Sequence, residues 1–353
     1  MSEAVAERVV SLDAPPRPLR LGFAGAGWIG RMRMRSLLES GGARIAAVAD
    51  PSSRALDQAR ALAPEARTAE DFEALLGLDL DGIVIATPSG LHAAQSIAAL
   101  ERGIPVFCEK PLGCNARDAE RVVAAARRAD RLLEVDYVYR HTRAARALRK
   151  LVQTGELGSI YALQLTFHNA YGPDQDWFYD RRASGGGCIV DLGVHLVDLA
   201  LWLLDFPEVT SVDSFVLHHG APLCADGHDV EDYALVQLKL GGSIAAQLQC
   251  SWRAHAGCDA VIEATLHGTE GGAAMRNVAG SFYDFEAVCF RGTSSEPLVA
   301  PPDEWGGRAL DAWVGALRHG PRFNPSAERF VEVARVLDAI YRGGLEAPRG
   351  VSS

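Results

Sequence analysis

The sequence predicts two domains of different class: an α/β domain on a parallel sheet, then an α+β domain with an open, mainly antiparallel sheet. Three observations lead there. Short apolar runs alternate with helical segments as far as residue 141. A glycine turn joins the first run to the first helical segment. From Val209 onward, strand-like runs follow one another with few helices between them, which favours antiparallel pairing.

Taken in order, residues 1–18 end in APPRP, lack sustained periodicity and are expected to form a mobile extension. The first domain is expected over residues 19–141. Its strands are LRLGFAG (19–25), RIAAVAD (44–50), DGIVIATP (81–88), PVFCEKP (105–111) and LLEVDY (132–137). The helices between them are GWIGRMRMRSLLES, SSRALDQARALA, HAAQSIAALERG and DAERVVAAARRAD. The second domain is expected over 142–353. It opens with a helix (145–158), the strand IYALQLTFH (160–168) and an apolar helix (188–205). Strands are then expected at 209–219, 232–240, 243–252, 259–268 and 282–290, with Gly241-Gly242 marking a hairpin, before a closing helix at 326–343.

Composition narrows the function classes. A net charge of -10 argues against nucleic acid as a partner, because phosphate binding needs a basic face. Seven cysteines without a CxxC pair fit a reducing cytoplasm. No signal peptide is evident, and no apolar run reaches the ~18 residues of a membrane span. Only three residues are lysine, Lys110, Lys150 and Lys239, in a chain rich in arginine. A lysine in such a chain marks a position where an ammonium can do what guanidinium cannot, such as releasing a proton.

The glycine turn is GAGWIG (25–30), a G-x-G-x-x-G between strand and helix, and it defines a Rossmann dinucleotide site. Gly25 permits the turn, Gly27 lets backbone approach a pyrophosphate, and Gly30 allows close helix–strand packing. Trp28 and Ile29 lie between them and open the helix whose N-terminus faces the phosphates. Asp50 ends the second strand. A carboxylate there accepts hydrogen bonds from both adenosine ribose hydroxyls and repels a 2′-phosphate, which predicts NAD; Arg54, one turn on, leaves NADP open. Glu109-Lys110-Pro111 ends the fourth strand, near the nicotinamide end of such a site.

CIVDLGVHLVDLALWLLD (188–205) carries Asp191, His195 and Asp198 at i, i+4 and i+7, one stripe of a single α-helix. Charged groups on an otherwise apolar helix line a site or pair with one another. Asp198 reads as a supporting or capping group. No metal is assigned, since Asp-x3-His-x2-Asp has no evident fourth ligand.

As an ordered set, GAGWIG (25–30), AVAD (47–50), ATPSGLH (86–92), CEKP (108–111), YRH (139–141), GGG (185–187) and DLGVHLVD (191–198) resemble the Gfo/Idh/MocA oxidoreductase family over residues 19–345. The resemblance implies a Rossmann domain followed by an α+β domain whose open sheet supports a homodimer or homotetramer. It implies that Lys110 is the catalytic lysine, with Glu109 beside it at the cofactor. Thr87, Pro88 and His92 match the cofactor-side loop, Asp191 and His195 the catalytic pair, and Arg140 a substrate contact. Within the family's range lie a redox-neutral NAD-dependent glycoside hydrolase and a non-catalytic dinucleotide-sensing regulator.

The expected chemistry is hydride transfer to or from a secondary alcohol or ketone carbon of a sugar, cyclitol or related polyol. His195 and Lys110 are both acid–base candidates, with Asp191 orienting the imidazole or binding a substrate hydroxyl. Gly185, Gly186 and Gly187 are expected to let backbone pass close to the substrate. Trp177, with Tyr179, Arg181 and Arg182, is expected to shape substrate choice. Trp202, Trp252 and Trp313 read as core or interface aromatics, and His218-His219 and Glu231-Asp232 as loop or strand-end residues.

Overall fold

The computed structural model describes residues 17–224 and 229–345; all but the last two residues of the expected N-terminal extension lie outside them. The first domain contains β1 (Arg20–Ala24), α1 (Trp28–Ser40), β2 (Arg44–Ala49), α2 (Ser53–Leu62), β3 (Arg67–Thr68), α3 (Phe72–Leu76), β4 (Gly82–Ile85), α4 (Ser89–Glu101), β5 (Val106–Cys108), α5 (Ala116–Ala129) and β6 (Leu133–Val135). The six strands are parallel in the order β3-β2-β1-β4-β5-β6. The order in which strands are added reverses between β1 and β4, and a crevice opens at their carboxyl ends. The glycine turn follows β1 and Thr87-Pro88 follows β4, so the two loops face each other there.

The second domain adds α6 (Arg143–Gln153), β7 (Ile160–Asn169), α7 (Arg181–Ser184), a π-turn (Ile189–Gly193), α8 (Val194–Leu203), β8 (Val209–His218), β9 (Ala221–Pro222), β10 (Tyr233–Leu240), β11 (Ile244–Ser251), β12 (Ala260–Gly268), β13 (Gly272–Asn277), β14 (Phe285–Arg291), β15 (Ser294–Val299), α9 (Arg308–His319) and α10 (Glu328–Leu345). Nine strands form one sheet in the order β15-β14-β13-β12-β7-β11-β10-β8-β9. Among the described residues, the central β7–β11 pair is the one parallel pair of this sheet. One face carries α6, α8 and α10: Ser214 of β8 donates to the Ile340 carbonyl of α10 at 2.6 Å. The next residue, Phe215, points the other way and is 69% exposed.

Several features depart from the sequence reading, the short elements β3, α3 and β9 among them. β13 lacks β-branched residues, and β15 is an edge strand containing Pro297, so neither gives a strand pattern. α9, in the span expected to belong wholly to the second domain, crosses back onto the first. Its Leu310, Trp313, Val314 and Leu317 pack in one core with Leu21, Phe23, Val84 and Phe107. Finally, the segment Arg181–Leu203, which spans α7, the glycine triplet, the π-turn and α8, is long and apolar enough to cross a membrane by length and composition alone, contrary to the expectation that no run reaches that length; 89% of its apolar window is buried inside the protein. Its α8 part packs on the central strands β7 and β11, and its α7 part on α4 of the first domain.

Candidate active site

The glycine loop has the geometry its sequence requires. Gly25 sits at φ 93°, where an added Cβ would strike the Ala86 backbone, and a Cβ on Gly30 would strike the Gly25 carbonyl. Around Gly27 there is open space to 4 Å, and no side chain caps the helix that it starts. The first-turn N–H groups of Trp28, Ile29 and Gly30 thus face the crevice without a side-chain acceptor. Asp50 braces the loop: its carboxylate accepts from Ala26 N–H at 2.7 Å and Ser52 N–H at 2.8 Å. A carboxylate has about four acceptor positions, so it retains capacity for ribose hydroxyls. Arg54 is exposed, and no side chain among the described residues pairs with it. Open backbone donors beside a carboxylate fit an adenine dinucleotide.

Two residues expected at the cofactor serve the scaffold instead. The Glu109 carboxylate is buried and accepts from Arg33 Nε at 2.8 Å. Arg33 projects inward from α1, also lies 2.5 Å from buried Asp136, and donates to the Gly306 carbonyl at 2.7 Å. A cation in a core needs such partners, and Glu109 is one of them. Burial, reinforced by Glu109 and opposed by Arg33, pushes the Asp136 carboxyl well up. His92 is equally committed. Its Nδ1 lies 2.7 Å from the Pro111 carbonyl and its Nε2 2.7 Å from the Thr87 carbonyl. Burial pushes its pKa down, against the pull of both carbonyls. His92 ties the Thr87-Pro88 loop to the Lys110-Pro111 turn and has no nitrogen left for a cofactor. The Thr87 hydroxyl donates to Gln95 Oε1 at 2.6 Å.

Lys110 reaches across to the second domain. Its Nζ donates to the Asp191 carboxylate at 2.7 Å and to the Asp191 carbonyl at 2.8 Å. An ammonium has three N–H donors, so one remains. The other Asp191 oxygen accepts from the Trp252 indole N–H at 2.9 Å. Trp252 is a core aromatic, as expected, but its polar edge also fixes Asp191.

The single stripe of Asp191, His195 and Asp198 is replaced by a π-turn leading into α8. The wider turn changes the helical phase, and the three side chains take three sets of neighbours. Asp191 meets Lys110 and Trp252. The His195 ring packs edge-on against Tyr139, centroids 5.0 Å apart, and beside Phe167 at 6.2 Å. Burial first, then the positive charges of Lys110 and Arg33, push its pKa well below the usual imidazole range. Asp191 therefore does not set the tautomer of His195; it holds Lys110. Asp198 forms a two-point pair with Arg140, whose Nε donates at 2.8 Å. Burial raises the Asp198 pKa and Arg140 opposes it. Arg140 also stacks over Tyr137 at 5.0 Å and Phe206 at 5.4 Å. The arginine expected at the substrate is locked in the core.

What bends the chain into a π-turn is Glu231. Its buried carboxylate accepts from Gly187 N–H and Ile189 N–H, both at 2.9 Å, and from the Tyr341 hydroxyl at 2.7 Å. It thus caps the turn from the loop that leads into β10. The glycine triplet serves this packing. Cβ atoms at Gly185, Gly186 and Gly187 would meet Cys114, Tyr341 and the Glu231 backbone, so on that side the triplet packs against protein.

Trp177 stands in a 3-10 turn (Asp176–Tyr179), half-buried and stacked on Phe178, centroids 3.8 Å apart. Phe178 and Tyr179 pack edge-on against Trp252, so this segment reaches Lys110 through Trp252 and Asp191. Asn169 ends β7 on the same face as Phe167, and its buried Oδ1 has no partner among the described residues. Sequence reasoning missed Arg33, Asn169, Glu231 and Tyr341, because no local pattern distinguishes them.

Residues 19–137 match the family described as oxidoreductase family, NAD-binding Rossmann fold, and residues 145–274 match the GFO/IDH/MocA C-terminal domain. Rhizopine catabolism protein MocA of Rhizobium meliloti is 36% identical over 52% of this chain and 56% of its own length. 1,5-Anhydro-D-fructose reductase of Ensifer adhaerens is 30% identical over 73% of this chain and 76% of its own. Inositol 2-dehydrogenase of Rhizobium meliloti is 27% identical over 93% of this chain and 97% of its own. Among solved structures, levoglucosan dehydrogenase with NADH superposes with a TM-score of 0.80 at 21% identity, covering 93% of this chain and 97% of that one.

Proposed function

Since the chain belongs to the Gfo/Idh/MocA family of NAD-binding oxidoreductases, we propose that it moves a hydride between NAD(H) and a secondary alcohol or ketone carbon of a sugar, cyclitol or related polyol. The observation that supports this most is the Lys110–Asp191 pair, which joins the two domains beside the neutral ring of His195. When bound, the nicotinamide supplies the hydride acceptor or donor. The chain's residues manage the proton. The third N–H of Lys110 hydrogen-bonds the reacting oxygen and stabilises alkoxide character. His195, kept uncharged, takes the hydroxyl proton in oxidation and returns it in reduction. Asp191 holds Lys110 in place and is itself held by Trp252. Asp50 favours NAD over NADP by repelling a 2′-phosphate. Relatives named for an anhydrofructose, inositol and rhizopine catabolism support a polyhydroxylated substrate. The same reading extends to assembly: the helix-free sheet face, with Phe215 beside Leu235, suits pairing of chains into a homodimer or homotetramer.

The test is nicotinamide absorbance with purified protein and a panel of inositols, hexoses and anhydrosugars, each with NAD and NADP. The expected result is turnover with NAD exceeding that with NADP. Preference for NADP would shift the ribose role to Arg54. Release of free sugar from glycosides with no net absorbance change would replace the dehydrogenase reading with a redox-neutral one.

A further inference from the structure

The hairpin between β8 and β9 turns on His219 and Gly220, whose φ angles are 49° and 77°. Two consecutive positive φ angles are the mark of a type I′ turn, whose first position favours Asn, Asp or Gly. Histidine is, with Asn and Asp, one of the non-glycine residues that most readily take this left-handed backbone. The turn carries the imidazole over the neighbouring strand, where its Nδ1 lies 3.4 Å from Oδ2 of Asp232. His218 stands alongside, the two rings edge-to-face with centroids 4.3 Å apart. Nδ1 of His218 is 2.8 Å from the Val230 carbonyl, so the neutral ring donates there and leaves Nε2 as its acceptor. One ligand atom from each of His218, His219 and Asp232 lies within 4.8 Å of the others.

We propose that His218, His219 and Asp232 form a site for a divalent transition metal of the zinc class, outside the redox centre and without a role in hydride transfer. Ligands about 2.0–2.2 Å from a tetrahedral zinc lie roughly 3.3–3.6 Å from one another, which is the spacing between His219 and Asp232. The His218 bond to a backbone carbonyl is the outer contact that orients a metal-binding imidazole. The Asp232 carboxylate accepts the His219 backbone N–H at 3.1 and 3.2 Å and still has lone pairs for an ion. Two imidazoles and one carboxylate suit a borderline cation better than calcium or magnesium. The frame is stiff, because Asp232 N–H bonds the Leu217 carbonyl and the Asp232 carbonyl accepts Trp252 N–H, both at 3.0 Å. His219 is exposed, so an ion can enter and water can complete its shell.

The experiment uses the full chain without an affinity tag, stripped with EDTA and dialysed against micromolar zinc chloride, with metal content read by mass spectrometry. His219→Asn keeps a residue that tolerates the left-handed turn, and Asp232→Asn keeps an acceptor for the His219 N–H. Both variants should therefore fold, as judged by circular dichroism and the zinc-free thermal midpoint. The expected result is one zinc per wild-type chain, with affinity lowered about tenfold or more in each variant. Zinc should also raise the thermal midpoint of wild type but not of the variants. Substoichiometric zinc in the wild type, or equal uptake by the variants, would overturn the proposal; the second result would place the ion elsewhere.

Discussion

The nucleotide crevice of the first domain and the π-turn of the second are built by opposite means. In the crevice the working groups are backbone N–H groups and one carboxylate, all supplied between Gly25 and Asp50. In the π-turn they are side chains drawn together from distant positions: Lys110 lies 81 residues from Asp191, and Trp252 lies 61. A backbone site tolerates change wherever the turn survives. A convergent side-chain site depends on each tether, and its supports sit one contact away from the chemistry. Glu231 is the clearest case, since it touches no reacting group yet sets the phase that sends Asp191 to Lys110.

The contrast is broken most severely at Lys110. Lys110→Met should lower kcat by about a thousandfold or more while NADH binding, measured by tryptophan quenching, changes little. Equal loss of cofactor binding would mean that the two regions are not separable. Next is Arg140. If it only partners Asp198, Arg140→Met leaves a buried carboxylate unpaired and lowers stability by about 3–5 kcal/mol in denaturant unfolding, with substrate KM unchanged. A raised KM at unchanged stability would restore its expected place at the substrate. Trp252→Phe removes one hydrogen bond from Asp191 and keeps most of the ring. It should lower kcat about tenfold with little change in KM, equivalent to about 1.4 kcal/mol, the low end for a hydrogen bond to a charged group.

The effect that is smallest at neutral pH, and grows only on acidification, is in pH dependence. His195 is held below the usual imidazole range by burial, so it stays an acceptor as the solution is acidified. The acid limb of kcat/KM should therefore fall below about pH 6.5, the ordinary histidine value. His92 and His195 share this direction, and the unfolded chain takes up protons that the folded chain resists. Stability contributed by their neutrality is present above about pH 6.5 and is lost as pH falls, by up to about 1.4 kcal/mol per pH unit for each histidine. Urea unfolding at successive pH values measures this. A His195→Gln variant with an unchanged acid limb would remove His195 from the proton path.

Much of the fold was legible. Alternating apolar runs gave five parallel strands, and the later runs gave the antiparallel sheet. β13 and β15 escaped because their patterns lack β-branched alternation or include proline. α9 was unreadable as part of the first core, since amphipathicity tells a helix to bury a face but not against which sheet. At the site, residue types at 110, 191 and 195 pointed to acid–base chemistry. Glu109, His92 and Arg140 were expected at ligands because their motifs resemble the family's, yet their side chains hold the scaffold. A motif match says nothing about which way a side chain is drawn once buried partners compete for it.

The sequence by itself determined the family, through motifs ordered along the chain, and the glycine loop, the acid at Asp50 and the strand and helix periods, which depend on interactions within a few tens of residues. Only the tertiary structure decided that Asp191 serves Lys110 and not His195, that Arg140 belongs to Asp198, and that the glycine triplet makes room for Tyr341 and Glu231. The physical reason is that a buried charge must find its counter-charge or hydrogen-bond partner wherever the packed chain supplies one. For Asp191, Asp198 and the triplet, that partner came from another strand, helix or domain.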